Sequence, residues 1–264
     1  MDLDLKDRVA MVAAATKGLG LASAETLLDE GARVSLCGRD LSTVSAVVAK
    51  LAERHGKDRV LGSAADVARK EDLCRWHEDT IRTFGEPSIL VTNTGGPPVA
   101  RFLSLSEADW QSGIESTLFN VIRLCHLVIP AMQSAGWGRI VHLTSLVAKQ
   151  PVDELTISST LRAGLSGLTK TLSNQLAKNG ITVNAILTGH VLTGRQEHLA
   201  EVRAKDRNTT VDAILAESAA AVPIGRFGTP HEIGDVVAFL CSPRAAFLTG
   251  ASIPVDGGQI KTTM

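Results

Sequence analysis

Short apolar runs rich in β-branched residues recur along the chain at residues 8–14, 33–36, 59–61, 89–93, 139–143, 182–187 and 252–255. Near-continuous runs of this kind read as strands buried on both faces. Longer segments with helical spacing lie between them, at 19–30, 42–54, 71–84, 107–135, 161–178 and 231–240. The alternation predicts an α/β fold, a doubly wound parallel sheet of about seven strands with helices on both faces. Gly31, Gly56, Gly136 and Gly180 fall where helices should end, and a glycine there can take the left-handed conformation that closes a last turn.

Residues 189–227 break the alternation and contain two helix-like pieces, at 197–205 and 211–220. An insertion of this length before the last helix suits a substrate lid. At 264 residues the chain is expected to form one domain over 1–264. Its 27 Lys plus Arg and 28 Asp plus Glu give a net charge of -1, which leaves no electrostatic footprint for nucleic acid or an anionic membrane. The four cysteines, Cys37, Cys74, Cys125 and Cys241, form no CxxC pair. That spacing fits buried thiols in a reducing compartment, and no metal site is expected. The first seven residues lack a basic segment followed by an apolar one, and no apolar run approaches the ~20 residues of a membrane span. A cytoplasmic location is the expectation.

The first strand runs through Ala13-Ala14-Ala15-Thr16-Lys17-Gly18-Leu19-Gly20 directly into a helix. Glycines there let a pyrophosphate approach the free amides of the helix N-terminus. At the end of the second strand a site for NAD usually has an acid for the ribose 2′-hydroxyl, whereas this chain has Gly38-Arg39. Arg39 and Lys17 together suit a 2′-phosphate, so NADP(H) is expected over NAD(H).

From this point the chain resembles the short-chain dehydrogenase/reductase family, particularly 3-oxoacyl-carrier-protein reductases and glucose dehydrogenases. The resemblance runs through Lys17-Gly18-Leu19-Gly20, Ala65-Asp66-Val67, Asn93-Thr94-Gly95, Leu143-Thr144-Ser145, Thr182-Val183-Asn184-Ala185, Pro223-Ile224-Gly225-Arg226 and Val255-Asp256-Gly257-Gly258. It implies a Rossmann fold in which Asp66 and Val67 meet an adenine, Asn93 and Gly95 line the nucleotide cleft, and Thr193 reaches the nicotinamide carboxamide. Read without the family, Asp66 can equally cap the helix near Arg69, and Asn93 can satisfy backbone groups at a strand end. Ala14 stands where the family has its first glycine. It is expected to be tolerated with an extended backbone at negative φ. Thr188 stands at a family proline.

The family's proton chemistry belongs to a tyrosine supported by a lysine four residues later, a serine, and an asparagine from the preceding long helix. This chain contains no tyrosine at all. Ser145 matches the serine, but the resemblance places Ser158 at the tyrosine, Arg162 at the lysine and Thr117 at the asparagine. An aliphatic hydroxyl is a weaker acid than a phenol and shorter in reach, and losing a positioned general acid typically costs ~10²–10⁴ in rate. Lys149, four residues after Ser145, is the first candidate substitute. Asp153, Glu154 and His190 are others, as is a water held by Ser158 and Arg162, while His142 on its strand reads as packed.

Two functions follow. One is a divergent NADP(H)-dependent oxidoreductase acting on a small carbonyl or alcohol substrate through a non-standard proton relay. The other is a non-redox catalyst (cyclase, dehydratase or isomerase), or a non-catalytic nucleotide-binding protein, on the same fold. Under either, the resemblance implies a homodimer or homotetramer built on the long helices at 107–135 and 161–178, whose apolar content exceeds one core-facing stripe.

Overall fold

The computed structural model describes residues 2–263. Seven parallel strands form one sheet: β1 Val9–Val12, β2 Arg33–Gly38, β3 Val60–Ala64, β4 Ile89–Thr92, β5 Gly138–Leu143, β6 Ile181–Thr188 and β7 Ser252–Val255. Their spatial order is β3-β2-β1-β4-β5-β6-β7. The winding direction therefore reverses between β1 and β4, and the crevice beyond their carboxyl ends is where such sheets bind ligands.

Alternation along each strand divides the core. Ala10, Val12, Ile89 and Val91 point into one layer with Leu27, Leu28, Ile233 and Val237 of helices α1 (Gly18–Asp29) and α9 (Pro230–Cys241); α2 (Leu41–His55) adds Val44 and Leu51. Met11, Leu90 and Ile140 point into the other layer, against Leu73 and Trp76 of α3 (Lys70–Phe84). Trp76 is buried whole, and its Nε1 donates to Ser35 Oγ at 2.8 Å, which meets the polar requirement of a buried indole.

The single helix expected over 107–135 is interrupted. It consists of α4 (Glu107–Gly113), a wider π turn at Ile114–Phe119, and α5 (Asn120–Ala135). By length and composition alone the stretch Glu107–Ala135 is apolar enough to cross a membrane, a test that core helices also pass. In the structure Leu124, Val128 and Met132 pack on the sheet. A π turn inside an α-helix commonly marks a functional position. Here it carries Thr117, which is buried with no partner for its hydroxyl.

Helix α6 (Thr156–Leu176) begins five residues before the expected boundary at 161, so Ser158 belongs to its first turn. The polar, β-branched start has weak helix propensity. Tertiary packing overrides it, because Ile157 is fully buried against Gly113, where a Cβ would come within 2.5 Å of its Cγ2. The segment 189–227 folds as α7 (Gly194–Asp206) and α8 (Val211–Ala220), which share a small apolar cluster of Ala200, Ala204 and Ile214 apart from the main core. A bridge between Val191 and Gly228 closes its base.

Candidate active site

The loop from β1 to α1 is shaped by close approach. A Cβ on Gly20 would lie 2.5 Å from the Ala14 carbonyl oxygen and 2.9 Å from Asn93 Nδ2, so only glycine lets α1 start this close to the strands. Asn93 Nδ2 donates to the Ala14 carbonyl at 3.1 Å, tying the end of β4 to the loop. Asn93 thus satisfies a backbone group, though one in the loop rather than at its own strand end. The expectation of an extended Ala14 is overturned: its φ is +48°, in the left-handed region that disfavours a Cβ. The loop is held on both sides, by Ala13 N–H on the Val91 carbonyl and Ala15 N–H on the Cys37 carbonyl, and the reversal between these bonds falls on Ala14.

Thr16 packs its methyl group against Gly38, which brings the loop beside the end of β2. Lys17, the residue preceding α1, and Arg39 are both exposed, and neither has a carboxylate within ion-pair distance among the described residues. Asp66 Oδ1 accepts from Ala68 N–H at 3.0 Å, which closes a local turn and does not cap α3, whose preceding residue is Arg69; Val67 is buried beside it. Gly95 is exposed at the mouth of the crevice. On the far side Thr193, the residue preceding α7, sets its methyl carbon 3.5 Å from where a Gly18 Cβ would be, so it overhangs the loop.

At the carboxyl end of β5, Thr144 Oγ1 donates to the Ile186 carbonyl at 2.9 Å and Thr188 Oγ1 donates to the Thr144 carbonyl at 3.0 Å. Thr188 therefore braces the strand ends. Ser145 follows, its Oγ accepting from Val147 N–H at 3.4 Å across a short turn that Lys149 closes. Ser158 and Arg162 are brought together: Arg162 Nε donates to Ser158 Oγ at 3.1 Å, and Nη1 donates to the Leu143 carbonyl at 3.3 Å. Arg162 is 8% exposed and has no carboxylate partner among the described residues. Burial first, then the charge of Arg195, lowers its pKa from 12.5 to about 10.

The other sequence candidates are scattered. Lys149 is half-buried, with no hydrogen bond or ion pair found for its ammonium. Asp153 is exposed, and Glu154 pairs with Arg101 at 3.6 Å on the rim. His190 is partly buried beside Phe227, its Nδ1 unpartnered, and burial pulls its pKa down. His142 is wholly buried, as read, with Nδ1 2.9 Å from Thr92 Oγ1, and burial lowers its pKa to about 4.

Two residues were not found by sequence reasoning. Ser159 lies on the wall of a cavity of about 550 Å³ shared with Phe102, Val152 and Thr156, its hydroxyl buried and unpartnered. Arg195, in the first turn of α7, reaches back to Gly96. The only available signal for Arg195 was its place two residues after Thr193.

A parallel sheet with its switch point between β1 and β4, and a close-packed glycine loop entering α1 there, defines a Rossmann-type nucleotide-binding protein. The family model described as enoyl-(acyl carrier protein) reductase matches residues 13–259, and the chain belongs to the short-chain dehydrogenase/reductase family. It is 31% identical over 259 residues to the 3-oxoacyl-(acyl-carrier-protein) reductase of Aquifex aeolicus, covering 98% of this chain and 100% of that one. L-sorbose reductase from Gluconobacter frateurii, solved with NADPH and L-sorbose, superposes with a TM-score of 0.95 at 33% identity, covering 99% of this chain and 100% of that one. An NADPH-bound short-chain oxidoreductase from Pseudomonas aeruginosa PAO1, described as containing an atypical catalytic center, superposes with a TM-score of 0.88 at 32% identity, covering 97% and 98%.

Proposed function

We propose that the protein is an NADP(H)-dependent oxidoreductase of a small carbonyl or alcohol substrate, in which the pair Ser158–Arg162 moves the proton that a tyrosine moves elsewhere in the family. The residues present fit a dinucleotide, because Gly20 lets the N-terminus of α1 abut the ends of β1 and β4 and Thr193 overhangs the loop from the other side. Lys17 and Arg39 would hold a 2′-phosphate, which favours NADP(H) over NAD(H). Ala14, Thr16, Gly18, Leu19 and Gly20 would form the diphosphate cradle. Asp66 and Val67 would flank the adenine, and Asn93, Gly95 and Thr193 would line the rest of the cleft. When bound, NADPH supplies the hydride.

The observation that carries the proton assignment is the 3.1 Å bond from Arg162 Nε to Ser158 Oγ. A hydroxyl that accepts from a guanidinium is polarised, and its own hydrogen is directed away from the donor. In the reducing direction Ser158 O–H gives its proton to the substrate oxygen, Arg162 Nε–H steadies the serine oxygen as negative charge develops on it, and solvent returns a proton to Ser158. Ser145 holds the same substrate oxygen. The NADPH-bound relative described as having an atypical catalytic center supports the choice of cofactor.

The assignment is tested with Ser158→Ala. A fall in kcat of ~10²–10⁴ with NADPH binding retained is expected. A wild-type rate would hand the role to Lys149.

The same reading extends to a homodimer or homotetramer, since the outer face of α6 presents exposed Ala163, Gly164 and Gly167, small residues that permit close helix approach. A monomer by light scattering at micromolar concentration would contradict it. All four cysteines are free, three of them buried, in keeping with work in a reducing compartment such as the cytoplasm.

A further inference from the structure

We infer that Arg195, together with Arg162, forms an anion subsite that selects carbonyl substrates carrying a carboxylate, an inference that rests on the reductase reading above. Arg195 extends from the first turn of α7 to the loop after β4, where a Cβ on Gly96 would lie 2.5 Å from its Nη1. Gly96, with φ +81°, thus makes the floor on which the guanidinium lies. Arg162 rises from α6 to the Leu143 carbonyl at the end of β5, the strand beside β4. Both cations therefore stand at the β4–β5 end of the crevice, where Ser145 and Ser158 also lie.

Neither guanidinium has a carboxylate among the described residues, although surface arginines such as Arg54, Arg123 and Arg226 each have one. Arg162 is nearly inaccessible, while Arg195 remains open to the cleft. The charge of Arg195 adds to burial in lowering the pKa of Arg162, and no carboxylate among the described residues offsets either guanidinium. A carboxylate removes that penalty, and the guanidinium fork matches its two oxygens.

The cofactor diphosphate is the other anion that two arginines would serve. Its place is the N-terminus of α1, beyond Thr193 on the Gly18 side, where amides already await it. Arg195 reaches instead to Gly96, in the loop after β4.

The test compares 2-oxo and 3-oxo carboxylates with their methyl esters at saturating NADPH, and titrates malonate into the complex with NADP+ by calorimetry. In the wild type, acids are expected to be favoured over esters, and malonate to bind. In Arg195→Ala the acid-over-ester ratio in kcat/KM falls about 100-fold, chiefly through KM, and malonate binding is lost. Arg195→Lys recovers part of both, and the Kd for NADPH stays within about threefold in all variants. Weakened NADPH binding with malonate unaffected would assign the pair to the diphosphate and overturn the inference. Esters preferred by the wild type, or no malonate binding, would overturn it as well. Malonate binding that depends on Arg195, without turnover of any carbonyl, would leave the subsite standing while the reductase reading falls.

Discussion

Arg162 and Ser158 stand one turn apart on α6 and are joined by a 3.1 Å hydrogen bond from Nε to Oγ, inside a site with no carboxylate to balance the guanidinium. A buried charge held for catalysis is a stability liability. Burial, with the charge of Arg195 beside it, lowers the pKa of Arg162 to about 10 and so penalises the charged form in the folded state. That penalty is constant below pH 10 and fades as the pH rises above it, where the folded state releases a proton that the unfolded chain keeps. Arg162→Met removes the charge at similar length. The ligand-free protein is expected to melt at least 2 °C higher while turnover is lost, checked by thermal unfolding and steady-state kinetics.

Ala14 holds a left-handed backbone where a side chain is unwelcome. Ala14→Gly is expected to relieve about 1 kcal/mol, offset in part by the greater freedom of glycine in the unfolded chain. A rise of up to about 3 °C in the melting midpoint follows, with NADPH affinity equal or higher. Ala14→Val is expected to lower both, since a β-branched residue is a poorer occupant of that region.

Arg39 follows β2, exposed and with no ion-pair partner among the described residues, beside the loop that carries Lys17. Arg39→Ala is expected to weaken NADPH binding about tenfold or more and to leave NADH binding nearly unchanged, as read by fluorescence titration. Equal losses for both nucleotides would remove the 2′-phosphate role.

His142 refuses a proton until about pH 4 because burial disfavours its charged form. The unfolded chain accepts that proton from about pH 6.5, so folded stability falls as the pH drops from 6.5 toward 4. His142→Gln does not titrate there. The loss of stability between pH 7 and pH 5, from urea unfolding, is expected to be smaller in the variant by about 2 kcal/mol. The other histidines are common to both proteins and cancel in the difference.

The strands were legible to within three residues because a doubly covered sheet demands unbroken apolar runs, and the glycine loop was legible because it follows one directly. The start of α6 was not, since Ile157 gains its helical state from burial against Gly113. The π turn was invisible because helical spacing continues on both sides of Ile114–Phe119. Ala14 was misjudged because its conformation is set by backbone bonds to β2 and β4 rather than by its own side chain. The places of Ser158 and Arg162 were legible through the family resemblance, whereas their mutual bond and the approach of Arg195 depend on how far long side chains reach across a folded crevice.

The most direct measurement is deuterium transfer from stereospecifically 4-deuterated NADPH to a panel of carbonyl compounds, followed by mass spectrometry of the products. Label on the carbonyl carbon of at least one product from the wild type, greatly slowed in Ser158→Ala, is the expected result. Tight NADPH binding with no label in any product, or labelling as fast in Ser158→Ala as in the wild type, would contradict a relay through Ser158 and Arg162.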